Sequence, residues 1–310
     1  MHKKYWIAAL IIILTVVIIK ITINRQPTDT SKPGSIKIVA TFYPLAYIAE
    51  QVGGANVQVI NITPPGTEPH EFEPTPRDIA KIYEADVFIV NGLGMDAWAE
   101  KLIPQLQGNH VTVIRISDQL TSLGQTNSDT GKENNIPDPH FWLDPLLVSR
   151  QADIIAEALI AVDPAHTSAY NEAKGLFKTK LSQLDQQYTG SLATCQSREI
   201  ITTHNAFAYL ANRYNLTTFH ILGLSPEEEP SPKTIAQISQ LAKEKHINYI
   251  FFETALDQKL STTIAQEIGA QSLVLNPIES LTKNELASHE DYLSVMNKNL
   301  QNLKTALVCL

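Results

Sequence analysis

The sequence predicts an α/β protein of two lobes, each a parallel sheet flanked by helices, joined by one long spine helix. Three observations predict it. Short apolar runs alternate with amphipathic helical patterns through residues 36–116, the rhythm of a parallel sheet covered on both faces. The same alternation resumes after Cys195. Between the two stretches, a helical pattern begins with the capping chemistry of Asp163-Pro164 and runs to about Leu192. A helix of roughly 30 residues would be about 45 Å long at 1.5 Å per residue, more than one small domain needs. The expected organisation is a first lobe over residues 36–145, a helical connection over 146–194 and a second lobe over 195–310.

In the first lobe, residues 36–40 read as a strand and 44–51 as a helix stopped near Gly53-Gly54. A second strand, 57–62, runs into the loop that carries His70. Residues 75–84 form a helix, with Thr75 as its cap and Pro76 at the first position. A buried strand at 87–90 is bounded by Asn91-Gly92; a short helix at 95–103 and a strand at 111–116 follow. Residues 117–137 break the rhythm. They are rich in Ser, Thr, Asn, Asp and Gly without periodicity, as in a functional or disordered loop.

The pattern is helical again over 146–161. In the second lobe, strand 199–203 ends at His204, followed by helix 206–213 and strand 216–222. An acidic, proline-rich segment, 225–232, precedes helix 234–244, strand 249–252, helix 260–268 and strand 273–275. A helix over 292–307 closes the chain. The architecture of the first lobe recurs without a sequence repeat.

The N-terminal residues His2-Lys3-Lys4 precede an apolar run from Tyr5 to Ile19, then Lys20 and Ile21-Thr22-Ile23. With Lys20 snorkelling, this approaches the roughly 20 residues a bilayer needs. Lysines before the run place the N-terminus in the cytoplasm and the rest outside. Residues 1–25 are therefore expected to be an uncleaved signal anchor in the cell membrane, and 26–35 a tether. A cleaved signal peptide is the alternative.

The chain has 310 residues, 44% hydrophobic and 18% charged, enough for two cores. A net charge of -8 argues against nucleic-acid binding, which shows as a basic stripe. Cys195 and Cys309 are too few for a disulfide framework. They read equally as two unrelated thiols or as one disulfide tying the chain end to the start of the second lobe.

Three histidines sit on stiffened backbone: His70 in Glu68-Pro69-His70, His140 in Asp138-Pro139-His140-Phe141-Trp142, and His204 just after a strand. Ligands of parallel sheets bind beyond the carboxyl ends of the strands, so His70 and His204 would project from equivalent edges of the two lobes. The three are far apart in sequence, and only tertiary structure can bring them together. Neutral imidazoles suit zinc and its first-row neighbours, and a carboxylate would complete a tetrahedron. Glu279, past the last strand, is the candidate. Pattern alone leaves metal binding and ordinary packing equally open for the three, while the other six histidines read as solvated or packed. Asn276 reads as a turn residue before Pro277, and Glu227, Glu228 and Glu229 as a solvated charge run.

At these residues the chain resembles the solute-binding proteins of bacterial zinc and manganese ABC transporters, the ZnuA/AdcA-like group of the TroA-like (cluster A-I) family. The segments that carry the resemblance include Ala40-Thr41-Phe42-Tyr43-Pro44, Thr67-Glu68-Pro69-His70-Glu71-Phe72-Glu73-Pro74, Asp138-Pro139-His140-Phe141-Trp142-Leu143-Asp144-Pro145, Thr203-His204-Asn205-Ala206-Phe207, Phe251-Phe252-Glu253 and Leu275-Asn276-Pro277-Ile278-Glu279. The match covers roughly residues 36–310. The resemblance implies a metal held between the lobes by His70, His140 and His204, with Glu279 or water in fourth place. Manganese-type members resemble this plan but carry a carboxylate at the third histidine and an aspartate near Asn276. His204 and Asn276 therefore favour Zn²⁺ over Mn²⁺. The implied function is extracytoplasmic capture of the ion and its delivery to an ABC transporter permease by a monomer that is not an enzyme. A zinc hydrolase is the rival from another class, although no His-Glu-x-x-His helix is present. The 117–137 loop lacks the histidines that many zinc members carry there, and no lipid-anchor cysteine follows the apolar run.

Overall fold

Two four-stranded parallel sheets with the same strand order form the framework. The protein is described by a computed structural model over residues 35–122, 137–223, 231–253 and 258–310. The expected signal anchor, all but the last residue of the tether, most of the 117–137 loop and most of the acidic 225–232 segment lie outside these residues. Among the described residues no helix is long and apolar enough to cross a membrane.

The first sheet contains β1 (Ile36–Ala40), β2 (Val57–Asn61), β3 (Val87–Val90) and β4 (Thr112–Arg115), in the order β2-β1-β3-β4. The second contains β5 (Glu199–Thr202), β6 (Thr217–His220), β7 (Tyr249–Phe252) and β8 (Gln271–Val274), in the order β6-β5-β7-β8. Every pairing is parallel. In each half the chain order reverses between the first and third strands, the switch point where loops diverge and leave a crevice.

The helices around the first sheet are α1 (Tyr43–Gly53), α2 (Pro76–Tyr83), α3 (Ala97–Leu106) and α4 (Ile116–Ser122). Thr75 caps α2 through a reciprocal pair with Asp78, and Pro76 opens the helix, as the sequence predicts. The helix α4 is a correction: its seven residues extend into the stretch that composition assigns to loop. Its Ile116 and Leu120, both fully buried, supply the i,i+4 apolar pair that holds it on the core.

The connection consists of α5 (Pro145–Val162) and α6 (Thr167–Leu192). At 26 residues, α6 is shorter than expected, about 39 Å, because Pro164–His166 forms a separate 3₁₀ turn. Asp163 does not cap a helix there. Its Oδ2 instead accepts from the Tyr170 hydroxyl at 2.7 Å and lies 2.6 Å from His166 Nδ1. Beyond it come α7 (Ala208–Tyr214), α8 (Pro232–Glu244), α9 (Gln258–Ile268), α10 (Lys283–Ala287) and α11 (Tyr292–Ala306). The five-residue α10 is short enough to escape a periodicity search, although its capping box, Thr282 with Glu285, is a readable signal.

Strand alternation distributes the cores. Ile38 and Ala40 of β1 and Val87 and Ile89 of β3 face a central cluster, while Val39, Phe88 and Val90 face an outer one. In the second sheet Ile200 and Phe251 face the same central cluster, and Ile201, Ile250 and Phe252 face a third. One apolar core thus runs through both halves, and residues 36–310 form a single compact unit. The helix α6 lies along it: Phe177 meets Tyr47 of α1, Tyr188 donates to the Met296 carbonyl of α11 at 2.6 Å, and Tyr188 stacks on Tyr214 of α7. Cys195 and Cys309 are joined in a disulfide, the second of the two readings of the cysteines, which closes a loop around the whole second half.

Candidate metal centre

Each candidate ligand sits in a loop beyond the carboxyl end of a strand or at the start of the connection, and a different device holds each one. The His70 loop follows β2. Phe72 packs edge-on against Trp98 at 6.2 Å, and the His70 N–H donates to Glu68 Oε1 at 3.0 Å.

His140 lies in the segment before α5, in the seam between the halves. The Asn91 amide, just past β3, donates to the Pro139 carbonyl at 3.1 Å. Asn91 and Gly92 are held in turn by buried Asp96, which accepts from both backbone N–H groups at 2.7 and 2.9 Å and from the Thr41 hydroxyl at 2.6 Å. From the other half, Tyr209 donates to the Asp138 carbonyl, Tyr292 donates to the Trp142 carbonyl, and the Trp142 indole donates to the Pro277 carbonyl at 2.7 Å. Trp142 is fully buried, so these bonds are shielded from competing water. The switch point of the first sheet, between β1 and β3, therefore serves to grip the His140 segment.

The second switch point carries chemistry directly. His204 follows β5 and Glu253 follows β7, strands adjacent in the sheet. His204 Nδ1 is in short contact with Glu253 Oε1, which also accepts from the Thr203 hydroxyl at 3.3 Å.

Glu279 follows β8 on a loop tied to α11. Asn299 brackets Asn276 with its amide, accepting from the N–H at 2.9 Å and donating to the carbonyl at 2.7 Å. Asn276 Oδ1 accepts from the Ile278 N–H at 2.7 Å, so Asn276 is the turn residue the sequence predicts. It also holds Ile278, fully buried, at φ +59°. A β-branched residue in this region costs about 1–3 kcal/mol, and the turn that it completes leads straight into Glu279.

The four side chains converge. Glu279 Oε1 lies 3.8 Å from His70 Nε2, 3.2 Å from His140 Nε2 and 3.3 Å from His204 Nε2. His70 Nε2 and His140 Nε2 are 3.3 Å apart. The donor atoms of His70, His140 and Glu279 all lie within 4.8 Å of one another, and His204 joins this triplet through the shared carboxylate oxygen. Metal–ligand bonds of 2.0–2.1 Å in a tetrahedron give ligand-to-ligand edges of about 3.3 Å. Three of the four separations match that edge, and the longer one belongs to His70, the most exposed member.

His140 and His204 are completely buried and Glu279 nearly so. His204 Nε2 and Glu279 Oε1 have no hydrogen-bond partner despite their proximity. Left without a partner these buried atoms carry a desolvation cost, which one cation bound between them would relieve. Asp138 Oδ1, 2.7 Å from His140 Nδ1, and Glu253 on His204 take the proton-bearing nitrogens and turn both Nε2 lone pairs inward. Sequence reasoning did not assign these two carboxylates. Asp138 had a local signal, two residues from His140 across a proline, whereas Glu253 is 49 residues from its histidine.

The charges are mutually dependent. Burial would lower the His140 and His204 pKa values, but the carboxylates of Asp138 and Glu279, and of Glu253 and Glu279, outweigh it and hold both raised, His204 well above the ordinary range. Burial would raise Glu279, and the His140, His204 and His70 imidazoles hold it well below the usual carboxylate range. Glu68, by contrast, is pushed up to about 8 by burial and by the nearby Glu279 charge. The site is a compact acid–base cluster that can exchange protons for a divalent cation.

The chain is similar to known zinc-uptake proteins. Residues 38–306 match the sequence profile of the family described as the periplasmic component A of the zinc-uptake complex. The zinc-binding lipoprotein AdcA of Streptococcus pneumoniae is 35% identical over 288 residues, covering 91% of this chain. The chain spans only 57% of that relative's length. The high-affinity zinc uptake system protein ZnuA of Bacillus subtilis is 32% identical over 292 residues, 92% of either chain. The crystal structure of the Zn(II)-bound ZnuA-like domain of Streptococcus pneumoniae AdcA superposes with a TM-score of 0.77 at 35% identity, covering 88% of this chain and 99% of the domain.

Proposed function

We propose, because the chain belongs to the zinc-uptake complex component A family, that it captures Zn²⁺ outside the cytoplasm and hands it to an ABC transporter permease. One observation carries the reading: a single oxygen of Glu279 lies within 3.8 Å of the Nε2 atoms of His70, His140 and His204. In this reading those four residues are the ligands, residues 36–145 and 195–310 the lobes that contribute them, and residues 146–194 the connection. The protein acts as a monomer held at the membrane by residues 1–25.

The donor chemistry supports zinc as cargo. Three imidazoles and one carboxylate suit a tetrahedral zinc ion, whereas manganese favours more oxygen ligands and more of them. It speaks against a hydrolase. A catalytic zinc keeps one position open for water, and in this reading Glu279 takes that position. The family is one of transport components rather than enzymes.

Titration of the purified metal-free protein with Zn²⁺ by calorimetry tests the reading. One zinc per chain is expected, with affinity lowered by orders of magnitude in His140→Ala. Unchanged affinity in that variant would overturn the ligand assignment.

A further inference from the structure

A cavity of about 30 Å³ opens beside the metal centre. On one side it is lined by Gly66, Glu68 and Pro69 of the His70 loop, and on the other by Pro277, Glu279 and Ser280. It has room for about one or two water molecules. Its lining includes Glu279, one of the candidate ligands.

A pair of hydrogen bonds clasps the two lining loops together. The Gly66 N–H donates to Ser280 Oγ at 2.9 Å, and the same hydroxyl donates to the Pro64 carbonyl at 3.5 Å. Ser280 is half-buried, and Pro64 and Gly66 are exposed. The clasp is therefore reachable by water, and such a bond opens at a modest net cost. It joins a loop carrying one candidate ligand, His70, to the residue immediately after another, Glu279. By contrast, the His140 and His204 segments are held by buried bonds from several elements. Parting the clasp would widen the cavity and loosen the His70 loop, while the Glu279 turn, braced by Asn299 and Trp142, stays in place with His140 and His204.

We infer that the metal passes in and out through this cavity and that the Ser280 hydroxyl is the latch that sets its exchange rate. The inference rests on the zinc-capture reading and adds to it the route and the gating residue. A latch on the path differs from a contact that only positions a ligand. Removing a latch lowers the barrier in both directions, so association and dissociation accelerate together and affinity moves little. Removing a positioning contact destabilises only the bound state, so dissociation alone accelerates.

The test is stopped-flow measurement of zinc association, and of dissociation into excess chelator, for the full chain and for Ser280→Ala and Ser280→Thr. Ser280→Ala is expected to raise both rates about three- to tenfold, the weight of one net hydrogen bond, with one zinc still bound and Kd within about twofold. Ser280→Thr keeps the hydroxyl and is expected to restore the rates. Unchanged rates in Ser280→Ala, or faster dissociation alone, would overturn the latch while leaving zinc capture standing. Failure of the unaltered chain to bind zinc would overturn the zinc reading, and the latch with it.

Discussion

Asp138 Oδ1 accepts from the His140 backbone N–H at 2.9 Å and lies 2.7 Å from Nδ1 of the same residue's ring. One carboxylate oxygen thus fixes both the chain direction and the ring orientation of a completely buried histidine at the centre. Proline between the two residues makes the geometry stiff, since Pro139 fixes its own φ and restricts Asp138.

Replacing Asp138 with alanine should therefore weaken zinc binding without abolishing it. Loss of such an outer carboxylate typically costs about 10–100-fold in metal affinity. Competition against a chelator of known affinity checks this. A variant with the affinity of the unaltered chain would show that the buried Trp142 and Asn91 contacts orient His140 by themselves.

Glu279→Gln keeps the shape of the fourth donor and removes its charge. If Glu279 binds the ion directly, affinity should fall at least tenfold while the stoichiometry stays at one zinc per chain, because an amide is a poorer zinc ligand than a carboxylate. Metal analysis of protein purified without added metal, together with titration, reads both quantities. An unaltered affinity would leave the fourth position to water.

Much of this was legible in the sequence because backbone patterning is local. Strand and helix periods and the Thr75 cap are set by neighbours within a few residues, and most of the elements stand where the pattern places them. What was not legible is mostly long-range. Glu253 reaches His204 only because β5 and β7 are adjacent in the sheet, and Asn299 braces the Glu279 turn from a helix 20 residues further on. Ile278 at positive φ runs against propensity, and tertiary packing decides it. The split of the long connection at Pro164–His166 is the exception, a local feature within reach of the Asp163-Pro164 signal.

The proton balance of the centre predicts how zinc stabilisation depends on pH. In the metal-free protein His140 and His204 have raised folded values. Their contribution is complete below the unfolded value of about 6.5 and is lost as pH rises through the folded values. Glu68, raised to about 8, acts with the same sign between about 4.3 and 8. Glu279 is lowered and so contributes above about 4.3, losing its contribution only in acid. From pH 6 to 8 the metal-free protein should therefore lose stability. Over the same range fewer protons compete with zinc, so its affinity rises, and bound ligand adds stability in proportion to the logarithm of that affinity. The gap in Tm between zinc-loaded and chelator-treated protein should widen steadily from pH 6 to 8. A gap that stays constant would mean that the histidines are already neutral without metal.

The connection offers a test of how much the molecule must bend to exchange its cargo. Gly175 lies inside α6, where glycine costs roughly 0.5–1 kcal/mol relative to alanine. A Cβ added there would meet nothing within 4 Å. Gly175→Ala should therefore raise Tm by about 2–3 °C, at about 2–4 °C per kcal/mol for a chain of this size. The functional consequence separates two mechanisms. The helix lies against one continuous apolar core shared by both halves, and large hinge motion would have to break that core. If exchange needs only the loops around the metal to part, zinc dissociation from Gly175→Ala should match that of the unaltered chain. If release instead uses a bend at Gly175, where a glycine eases a kink, dissociation should slow as the helix stiffens. The shared core favours the first outcome, and thermal unfolding together with chelator-driven dissociation of the one variant measures both.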